Sequence, residues 1–589
     1  DAAIDRCTPS GVRWPPTQIA PEAALPTRTR AATLLFALLV AVTASPFAVQ
    51  PVAAAGLAPL TTGHLSRRMS GEVFGYLPYW SIGSWTDDYL HYDALTDIAI
   101  FGVGIKKSGH LDTASPGYID LMSATGAQII GHAHARGVRV HITFQSFGST
   151  RNAALFGSST ARATFVAEAR ALMRLRGVDG ANLDIESLPS ADWPAFAGVV
   201  TSLRNKARRD NPIARISVAT YPSAAGAKLA KMATDAGADR VFIMAYNYRT
   251  ALANPVGSTD PLLRADGGLS LTTTLDSYAS HGVPAGRILL GLPFYGFTWP
   301  TVDESLNADR RPVADGLGDG DAFFPYRLAQ DGLPTGAIVD QDPIERTARI
   351  TWYDDVKASW YQSYYDDPQS LAPKAKLAIS HGLAGMGIWA LGYERGVPGY
   401  WETIAATFPA PTIVSVKISP NPTHSRTVTV KTAWNAGAHG VTKMRLSNDG
   451  STWSGWRTAA ATTSWKLTSA NGTRHVYVQV RDSALARSPV ASGKTILDTV
   501  PPTVTSVTLV RQGTKHRWKI SYQASDATSG VAGYRVRYRV GSGVWHTLQS
   551  LTTSTSAYLK IPRRYAVTFS VRAKDHAGNW SDARLRHTP

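Results

Sequence analysis

The chain has 589 residues and a formal net charge of +17. Hydrophobic residues make up 44% of it, and its 50 glycines and 35 prolines are near average, which excludes disordered, collagen-like and low-complexity chains. The single cysteine, Cys7, excludes a disulfide framework and any metal site built on two or more thiolates.

The charge is distributed unevenly along the chain. Residues 411–589 hold 25 Lys and Arg against 6 Asp and Glu, a net charge of +19. Residues 1–410 hold 35 basic and 37 acidic residues, a net charge of −2. This distribution predicts a near-neutral catalytic or binding body followed by a strongly basic region.

The N-terminal segment has the pattern of an export signal. Residues 31–44 form an apolar run that follows two arginines and is shorter than the roughly 20 residues of a membrane-spanning helix. The alanines at 53–55 offer a cleavage site with a mature start near Gly56, although a cut after Ala44 and an uncleaved anchor are alternatives. We therefore expect 1–55 to be an N-terminal extension and signal peptide. The mature protein is expected to be secreted, without a membrane span, and to associate with the cell wall.

The segment 71–408 alternates strands and helices. The predicted strands are 73–79, 97–104, 138–144, 178–185, 215–220, 240–246, 288–294 and 385–391. The predicted helices are 127–136, 160–176, 192–209, 227–237, 271–281 and 370–381. Eight apolar strands, most of them followed by a helix, favour an α/β fold of the (β/α)8 TIM-barrel type, with an open doubly wound sheet as the alternative.

A long insert interrupts this alternation near 297–350. Its last fifty residues, 301–350, hold ten acidic residues and five arginines. Because the loops at the C-terminal ends of barrel strands build the active site, the insert is expected either to wall a cleft or to be a solvated excursion.

The residues with the clearest chemical pattern lie in the fourth strand. Asn182, Asp184 and Glu186 are spaced two apart, so on a strand their side chains point to one side. A glutamate at the end of a strand, two residues after an aspartate, is expected to be an acid with a raised pKa. The alternative is a strand that ends in a polar turn.

The run 179–186, DGANLDIE, resembles the D-G-x-[DN]-x-D-x-E signature of glycoside hydrolase family 18, the chitinase family. Other stretches resemble motifs of that family in the same order, and the last two are most similar to its spore-germination branch. These stretches are 75–80 (GYLPYW), 244–248 (MAYNY), 291–296 (GLPFYG), 351–355 (TWYDD) and 385–393 (GMGIWALGY). The resemblance covers about 71–408 and implies a TIM barrel.

The resemblance also implies a mechanism without metal or cofactor. Glu186 is the general acid and later the base, while the acetamido oxygen of the substrate attacks the anomeric carbon, so the configuration is retained. Asp184 orients the acetamido group, Tyr246 donates its hydroxyl to the acetamido carbonyl, and Trp389 lies beneath the sugar ring. The residues expected to bind substrate are Tyr76, Asn182, Met244, Asn247 and Trp389.

Two positions depart from the common family pattern. Asn182 and Asn247 stand where many members have aspartate, which changes the expected pH profile and weakens the expected sugar contacts. A lectin-like protein without turnover is therefore an alternative, although such proteins usually lack the acid that Glu186 supplies. His132 and His134 do not share a helix face, so we expect no metal site there.

The C-terminal third reads as two β-sandwich modules, 411–498 and 499–589. An internal repeat places 476–481 and 567–572 in equivalent positions, and 571–581 resembles bacterial Ig-like and fibronectin type III-like repeats. In the second module, two predicted strands alternate cations with apolar residues: Lys515, Arg517 and Lys519 in one, and Arg535, Arg537 and Arg539 in the other. These cations are expected to lie in opposite sheets, either as a solvated surface or as an attachment to anionic cell-wall polymers.

Together these features predict a secreted, monomeric glycosidase that cleaves β-1,4-linked N-acetylglucosamine polymers, with chitin as the first candidate. A peptidoglycan N-acetylglucosaminidase that remodels the cell wall and a non-hydrolytic carbohydrate-binding protein are the alternatives. No specific nucleic acid is expected as a partner.

Overall fold

The computed structural model describes residues 69–312, 316–317, 319–513, 516–562 and 564–589. The chain divides into two compact units, and the boundary falls between Thr407 and Phe408. The apolar run at 31–44, the cleavage sites, Cys7 and Lys515 lie outside the described residues. Within those residues, no helix is long and apolar enough to cross a membrane.

The first unit is a closed barrel with an inserted sheet. Its strands are β1 (Glu72–Pro78), β2 (Asp97–Gly104), β3 (Arg139–Phe147), β4 (Gly180–Glu186), β5 (Arg215–Thr220), β6 (Arg240–Met244), β7 (Ile288–Pro293), β8 (Gly296–Thr301), β9 (Asp321–Phe323), β10 (Ile338–Asp342), β11 (Thr347–Asp354), β12 (Ser359–Tyr365) and β13 (Gly385–Trp389). Strands β1 to β7 and β13 close the barrel in the order β1-β13-β7-β6-β5-β4-β3-β2. Every neighbouring pair is parallel, which confirms the predicted (β/α)8 architecture.

Helices follow most of the barrel strands. They are α1 (Pro116–Met122), α2 (Ala124–Ala135), α3 (Ser149–Gly157), α4 (Ser159–Arg176), α5 (Trp193–Asp210), α6 (Ala224–Asp235), α7 (Leu271–Ser280), α8 (Tyr326–Asp331), α9 (Pro368–Ser380) and α10 (Tyr400–Thr407). Helix α4 begins after Ser158, whose side chain accepts a hydrogen bond from the Ala161 N–H, and ends at Gly177 in the left-handed conformation (φ 65°). These local signals explain why its limits are close to the predicted ones.

The interior of the barrel changes character along its axis. Glu72, Asp97 and Arg139 form a buried charged network at the N-terminal end, where Arg139 donates to both oxygens of Asp97. The middle is filled by an apolar cluster: Phe74, Tyr76, Ala99, Phe101, Phe242 and Leu289. The C-terminal ends of the strands are therefore left to carry the polar groups that meet solvent.

The insert is an ordered sheet, whose strands were not predicted from the sequence. Strands β8 to β12 form a five-stranded antiparallel sheet in the order β10-β11-β12-β8-β9, which extends the insert to Tyr365. Residues 351–354, whose sequence resembles the close of the barrel, lie in β11 of this sheet and not in the barrel.

The insert is tied to the loop that follows β6. Arg249 of that loop forms a buried ion pair with Glu345 at 2.7 Å. A second buried contact holds the same loop from outside the insert. Lys374 of α9 contacts Asp260 of the loop at 2.7 Å and Asp366 at 2.5 Å. The insert therefore packs against one side of the barrel mouth.

The second unit consists of two sandwiches. Its strands are β14 (Thr412–Ser419), β15 (Thr427–Asn435), β16 (Val441–Ser447), β17 (Arg457–Thr458), β18 (Thr462–Lys466), β19 (Gly472–Asp482), β20 (Ala491–Leu497), β21 (Thr503–Gln512), β22 (Arg517–Ser525), β23 (Val531–Val540), β24 (His546–Thr552), β25 (Ser556–Lys560), β26 (Val567–Asp575) and β27 (Arg584–His587). Each sandwich packs a three-stranded sheet on a four-stranded one, in the orders β14-β15-β18 with β17-β16-β19-β20, and β21-β22-β25 with β24-β23-β26-β27.

The predicted repeat and charge placement agree with this topology. The segments 476–481 and 567–572 lie in β19 and β26, which occupy equivalent places in the two four-stranded sheets. Arg517 and Lys519 lie in β22, and Arg535, Arg537 and Arg539 lie in β23 of the opposite sheet, as expected. The assignment of the modules as Ig-like or fibronectin type III-like stays a prediction.

Candidate active site

The alternation of strand β4 separates its polar residues from its apolar ones. Asn182 and Asp184 are buried inside the barrel, and Glu186 is partly exposed at the C-terminal end of the strand. Leu183 and Ile185, between them, are buried on the other face. A period of two therefore places the three polar side chains along one line that leads to the barrel mouth.

Asn182 is held by hydrogen bonds from two other strands. The Tyr76 hydroxyl of β1 donates to Asn182 Oδ1 at 2.9 Å, and Asn182 Nδ2 donates to Ser217 Oγ of β5 at 2.9 Å. Both bonds use the amide in one orientation, with its oxygen toward Tyr76. An aspartate at this position would have no N–H to offer Ser217.

Asp184 and Glu186 form a pair of interacting carboxyl groups, one buried and one partly exposed. Burial is the main cause that raises the pKa of Asp184 well above its usual value, and the charge of Glu186 raises it further. Burial also raises the pKa of Glu186, while the hydrogen bond from Tyr221 opposes that rise. The pair therefore retains a proton at a pH where exposed carboxyl groups have lost theirs. The predicted raised pKa of Glu186 has burial as its cause.

The two carboxyl groups differ in their hydrogen bonds. The Tyr221 hydroxyl donates to Glu186 Oε2 at 2.9 Å. Asp184 Oδ1 is buried and accepts no hydrogen bond from the described residues. Because a buried acceptor without a donor is unfavourable, this oxygen is suited to receive an N–H from a bound ligand.

Backbone contacts fix the end of strand β4. The Asn152 side chain of α3 donates to the Glu186 carbonyl at 2.5 Å, and the Gly148 N–H donates to the same oxygen at 3.3 Å. Glu186 also lies beside Phe147 in the parallel register of β3 and β4. The position of the acid therefore depends on the loop after β3.

Tyr246 faces the carboxyl pair from the loop after β6. Its pKa is raised well above the usual tyrosine value, first by burial and then by nearby groups that include Asp184 and Glu186. The hydroxyl therefore stays protonated and is available as a hydrogen-bond donor. Tyr246 and Met244 both pack against the apolar cluster in the middle of the barrel. Strand β6 ends at Met244 rather than at Tyr246, so Tyr246 lies in the loop.

An aromatic wall lies at the end of β13. The Trp389 ring is 5.3 Å from the Tyr76 ring and 4.8 Å from the Phe101 ring, measured between centroids. Trp80, which is 38% exposed, lies 6.4 Å from Trp389, and its indole N–H donates to the Tyr393 hydroxyl. These rings offer an apolar surface beside the carboxyl groups.

Asn247 is engaged by residues other than the carboxyl pair. Its Oδ1 accepts a hydrogen bond from the Tyr295 hydroxyl at 2.5 Å, and its backbone N–H donates to Thr259 Oγ1 at 3.0 Å. Its backbone is left-handed (φ 61°), a conformation that asparagine tolerates better than most residues. The acceptor oxygen expected to contact a sugar is thus already bound to Tyr295.

Several residues of the site were not identified from the sequence. Tyr221 follows β5 directly, so the rule that polar residues at C-terminal strand ends build barrel sites would have found it. Ser217 is recognisable only through the pairing of β4 with β5, and Tyr295 only through the contact between two loops, because their partners Asn182 and Asn247 are 35 and 48 residues away. Trp80 is the last residue of the motif at 75–80 and lies two residues beyond the end of β1.

Among the described residues, one group of three carboxylates could hold a metal ion, and it belongs to the second unit, not to this site. They are Asp498, Asp526 and Asp575. In the barrel, His132 pairs with Asp87 and His134 with Asp179, so the two histidines face different partners, as the helical spacing predicts.

Comparison with known proteins connects this site to a family. Residues 72–394 match the family model described as Glycosyl hydrolases family 18. The chain is 28% identical to Chitinase A1 of Niallia circulans over 403 residues, which cover 63% of this chain and 55% of that protein. It is 22% identical to Di-N-acetylchitobiase of Rattus norvegicus over 309 residues, covering 50% of this chain and 81% of that protein. It is also 24% identical to the putative sporulation-specific glycosylase YdhD of Bacillus subtilis over 268 residues, covering 42% of this chain and 54% of that protein.

Proposed function

Since the chain belongs to glycosyl hydrolase family 18 and is a chitinase-like glycosidase, we propose that it cleaves β-1,4-linked N-acetylglucosamine polymers, with chitin as its first substrate. The observation that supports this most is the carboxyl pair of Asp184 and Glu186, aligned on one strand at the barrel mouth. Glu186 accepts a hydrogen bond from a tyrosine hydroxyl, and Asp184 presents a buried oxygen that has no donor among the described residues.

Glu186 acts as the general acid in this proposal. Its raised pKa keeps it protonated to a higher pH than an exposed glutamate, and Tyr221 fixes one carboxyl oxygen, so the proton is delivered from a defined position. The group that gives its proton to the glycosidic oxygen becomes a carboxylate. It then takes a proton from the water that attacks the intermediate from the same face, so the configuration is retained.

Asp184 and Tyr246 act on the acetamido group of the substrate. Asp184 accepts its N–H through the oxygen that has no donor within the described protein, which orients the group and stabilises the cationic oxazolinium-like intermediate. Tyr246 donates to the acetamido carbonyl while that oxygen attacks the anomeric carbon. Trp389 supplies the apolar surface beneath the sugar ring. Tyr76 acts indirectly, because its hydroxyl holds Asn182 in place.

The Glu186→Gln variant tests the acid. Gln has nearly the same shape but no proton to give, so turnover of chitin oligomers should fall by about 10²–10⁴ with binding retained. Glu304→Gln, at an exposed position of the insert, is the matched control and should stay fully active. Turnover of Glu186→Gln within a few fold of the unaltered enzyme would remove Glu186 from this role.

The choice of substrate decides between the two enzymatic alternatives. Mass spectrometry of the products from chitin oligomers and from purified cell walls separates a chitinase from a peptidoglycan N-acetylglucosaminidase. Fully deacetylated oligomers are the control for the mechanism, because they lack the attacking acetamido oxygen and should not be cut. Binding of chitin oligomers without any product would instead indicate a carbohydrate-binding protein.

We further infer that the enzyme acts as a secreted monomer at the cell wall. The apolar run at 31–44 supports export, and the charge of +19 over residues 411–589 supports retention by anionic wall polymers. Release of the enzyme from walls by rising salt would support this location, because exposed charge contacts are screened over about 8–10 Å near physiological ionic strength.

A further inference from the structure

The four-stranded sheet of each sandwich stacks arginines on tryptophans along its outer face. In the first sandwich, the guanidinium carbon of Arg445 lies 4.8 Å from the Trp456 ring centroid, and those of Arg481 and Arg487 lie 4.5 and 5.7 Å from it. Arg445 is also 4.5 Å from Trp453. We call these five residues the Trp456 face.

The second sandwich repeats the arrangement. Arg535 and Arg572 lie 4.6 and 5.8 Å from the Trp580 ring centroid, with Lys574 at 5.7 Å. Nearby, Arg537 and Arg539 lie 5.8 and 5.0 Å from Trp545. We call this second set of residues the Trp580 face. Because the four-stranded sheets of both sandwiches carry the same arrangement, it is expected to have a role beyond the packing of a single domain.

The guanidinium groups of these faces are crowded, and several of their nitrogens lack a hydrogen-bond partner among the described residues. Arginine Nε atoms on both faces are buried and have no hydrogen-bond partner among the described residues; they belong to Arg481, Arg487, Arg535, Arg537 and Arg539. The pKa values of Arg445 and Arg487 are lowered by burial and by the neighbouring arginines, as expected for crowded like charges.

The acidic residues of this unit serve other purposes. Residues 411–589 contain six aspartates and no glutamate, and five of the aspartates accept backbone N–H groups in turns. These five are Asp449, Asp482, Asp498, Asp526 and Asp575. The unit therefore has few carboxylates for its many cations, and a surface rich in arginine is suited to an anionic partner.

We propose that the Trp456 face and the Trp580 face bind a linear phosphodiester polymer whose spacer groups are uncharged. Arginines two apart on a strand, such as Arg535 and Arg537, have Cα atoms about 6.6–6.8 Å apart and point to the same face, which suits a chain with regularly spaced anions. Guanidinium groups bind phosphate oxygens in pairs, and stacking on indole holds them in place before binding. This inference builds on the proposed wall association and is independent of the glycosidase activity.

The tryptophans disfavour a nucleic acid as the partner. Single-stranded nucleic acids bind proteins largely through bases stacked on free aromatic rings. Trp456 and Trp580 are each approached by three cations and Trp545 by two, so much of their ring surface is already used. The surface therefore offers hydrogen-bond donors for phosphate oxygens but few free aromatic rings on which bases could stack.

The test measures binding of the full chain to poly(glycerol phosphate), with hyaluronate as the carboxylate probe and poly-dT as the nucleic-acid probe. Arg445→Gln/Arg481→Gln/Arg487→Gln should weaken binding of poly(glycerol phosphate) by about 10–100-fold at low salt and reduce its salt dependence. Arg535→Gln/Arg537→Gln/Arg539→Gln should do the same, and the combined variant should not bind measurably. Turnover of soluble chitin oligomers should stay unchanged in all of these variants.

The matched control removes three exposed cations from the three-stranded sheet of the first sandwich. Lys417→Gln/Lys431→Gln/Lys466→Gln makes the same charge change away from the tryptophans and should weaken binding by less than about threefold. If a Gln variant fails to fold, arginine-to-lysine variants keep the charge and should still bind more weakly, because lysine lacks the planar fork. Equal losses in the control, tighter binding of hyaluronate or poly-dT, or no binding by the unaltered chain would each overturn the proposal.

Discussion

Asp184 and Glu186 are two residues apart in the sequence, yet their environments give them different properties. Glu186 lies at the mouth and is held by Tyr221, whereas Asp184 is deeper and keeps an acceptor oxygen without a donor in the described chain. Position 182 holds Asn where many family members have Asp, and the amide N–H of Asn182 donates a hydrogen bond to Ser217. At position 247 the amide oxygen accepts the Tyr295 hydroxyl, a contact that an aspartate could also make. The contacts of Asn182 therefore require an amide, whereas this contact of Asn247 does not.

Asp184→Asn is expected to stabilise the protein at neutral and alkaline pH. Below about pH 4, both the folded and the unfolded chain hold the proton of Asp184, so the variant and the original protein should be equally stable. As the pH rises, the unfolded chain releases this proton while the folded chain retains it, because the folded-state pKa is raised. The original protein then loses stability that the Asn variant keeps. Urea unfolding between pH 4 and 8 measures the difference, and Asp276→Asn, at an exposed position of α7, should show none.

Tyr221→Phe is expected to move the alkaline limb of the pH profile of kcat/KM to higher pH. The Tyr221 hydroxyl stabilises the ionised form of Glu186 and so lowers its pKa, an effect that the variant removes. A general acid with a higher pKa stays protonated, and therefore active, to a higher pH. Tyr353→Phe, on the exposed part of the insert, is the control. A limb that moves to lower pH would contradict the assigned hydrogen bond.

At the scale of elements, the loop after β6 is the part of the site that depends most on distant segments. It carries Tyr246 and Asn247 and is anchored by two buried ion contacts. Arg249 reaches Glu345 of the insert, and Asp260 reaches Lys374 of α9. The insert thereby positions residues of the barrel mouth, which favours the cleft-wall interpretation over a solvated excursion.

Lys374→Met should lower the free energy of unfolding by about 3–5 kcal/mol, since it leaves the buried Asp260 and Asp366 without their cation. Lys376→Met makes the same chemical change at an exposed position of the same helix and should change stability by less than about 0.5 kcal/mol. Chemical denaturation at pH 7 measures both. A loss for Lys374→Met no larger than that of Lys376→Met would show that the ion contacts do not anchor the loop.

At the scale of the molecule, the two units are built on separate cores. The barrel has its aromatic cluster around Phe74 and Phe242, and each sandwich has its own apolar core between its two sheets. The net charge is also divided, with −2 before residue 411 and +19 after it. Catalysis and attachment can therefore be altered by separate substitutions.

Phe569→Ala should destabilise the second sandwich without affecting the barrel. Phe569 is fully buried in the core of that sandwich, and its truncation should cost about 3–5 kcal/mol. Calorimetry should show the transition of the second sandwich at a lower temperature, while turnover of soluble chitin oligomers below that temperature stays unchanged. A parallel loss of turnover would show that the two units do not behave as independent bodies.

The sequence by itself determined the local features of this protein. Period-two alternation aligned Asn182, Asp184 and Glu186, apolar runs marked the eight barrel strands, and motif resemblance identified the family. These features can be predicted from the sequence because each depends on residues that are close together in the chain. The insert shows the limit, since its short strands in an acid-rich segment give no periodic signal, and only pairing between β8, β11 and β12 orders it.

Tertiary structure alone decided the contacts that tune the site. Tyr76 and Asn182 are 106 residues apart, Arg249 and Glu345 are 96 apart, and Lys374 and Asp260 are 114 apart. No local pattern encodes such pairs, because folding brings together strands, loops and helices that are far apart in the chain. The same reason applies to Trp456 and its arginines, since Arg445 lies in β16 and Arg481 in the paired strand β19.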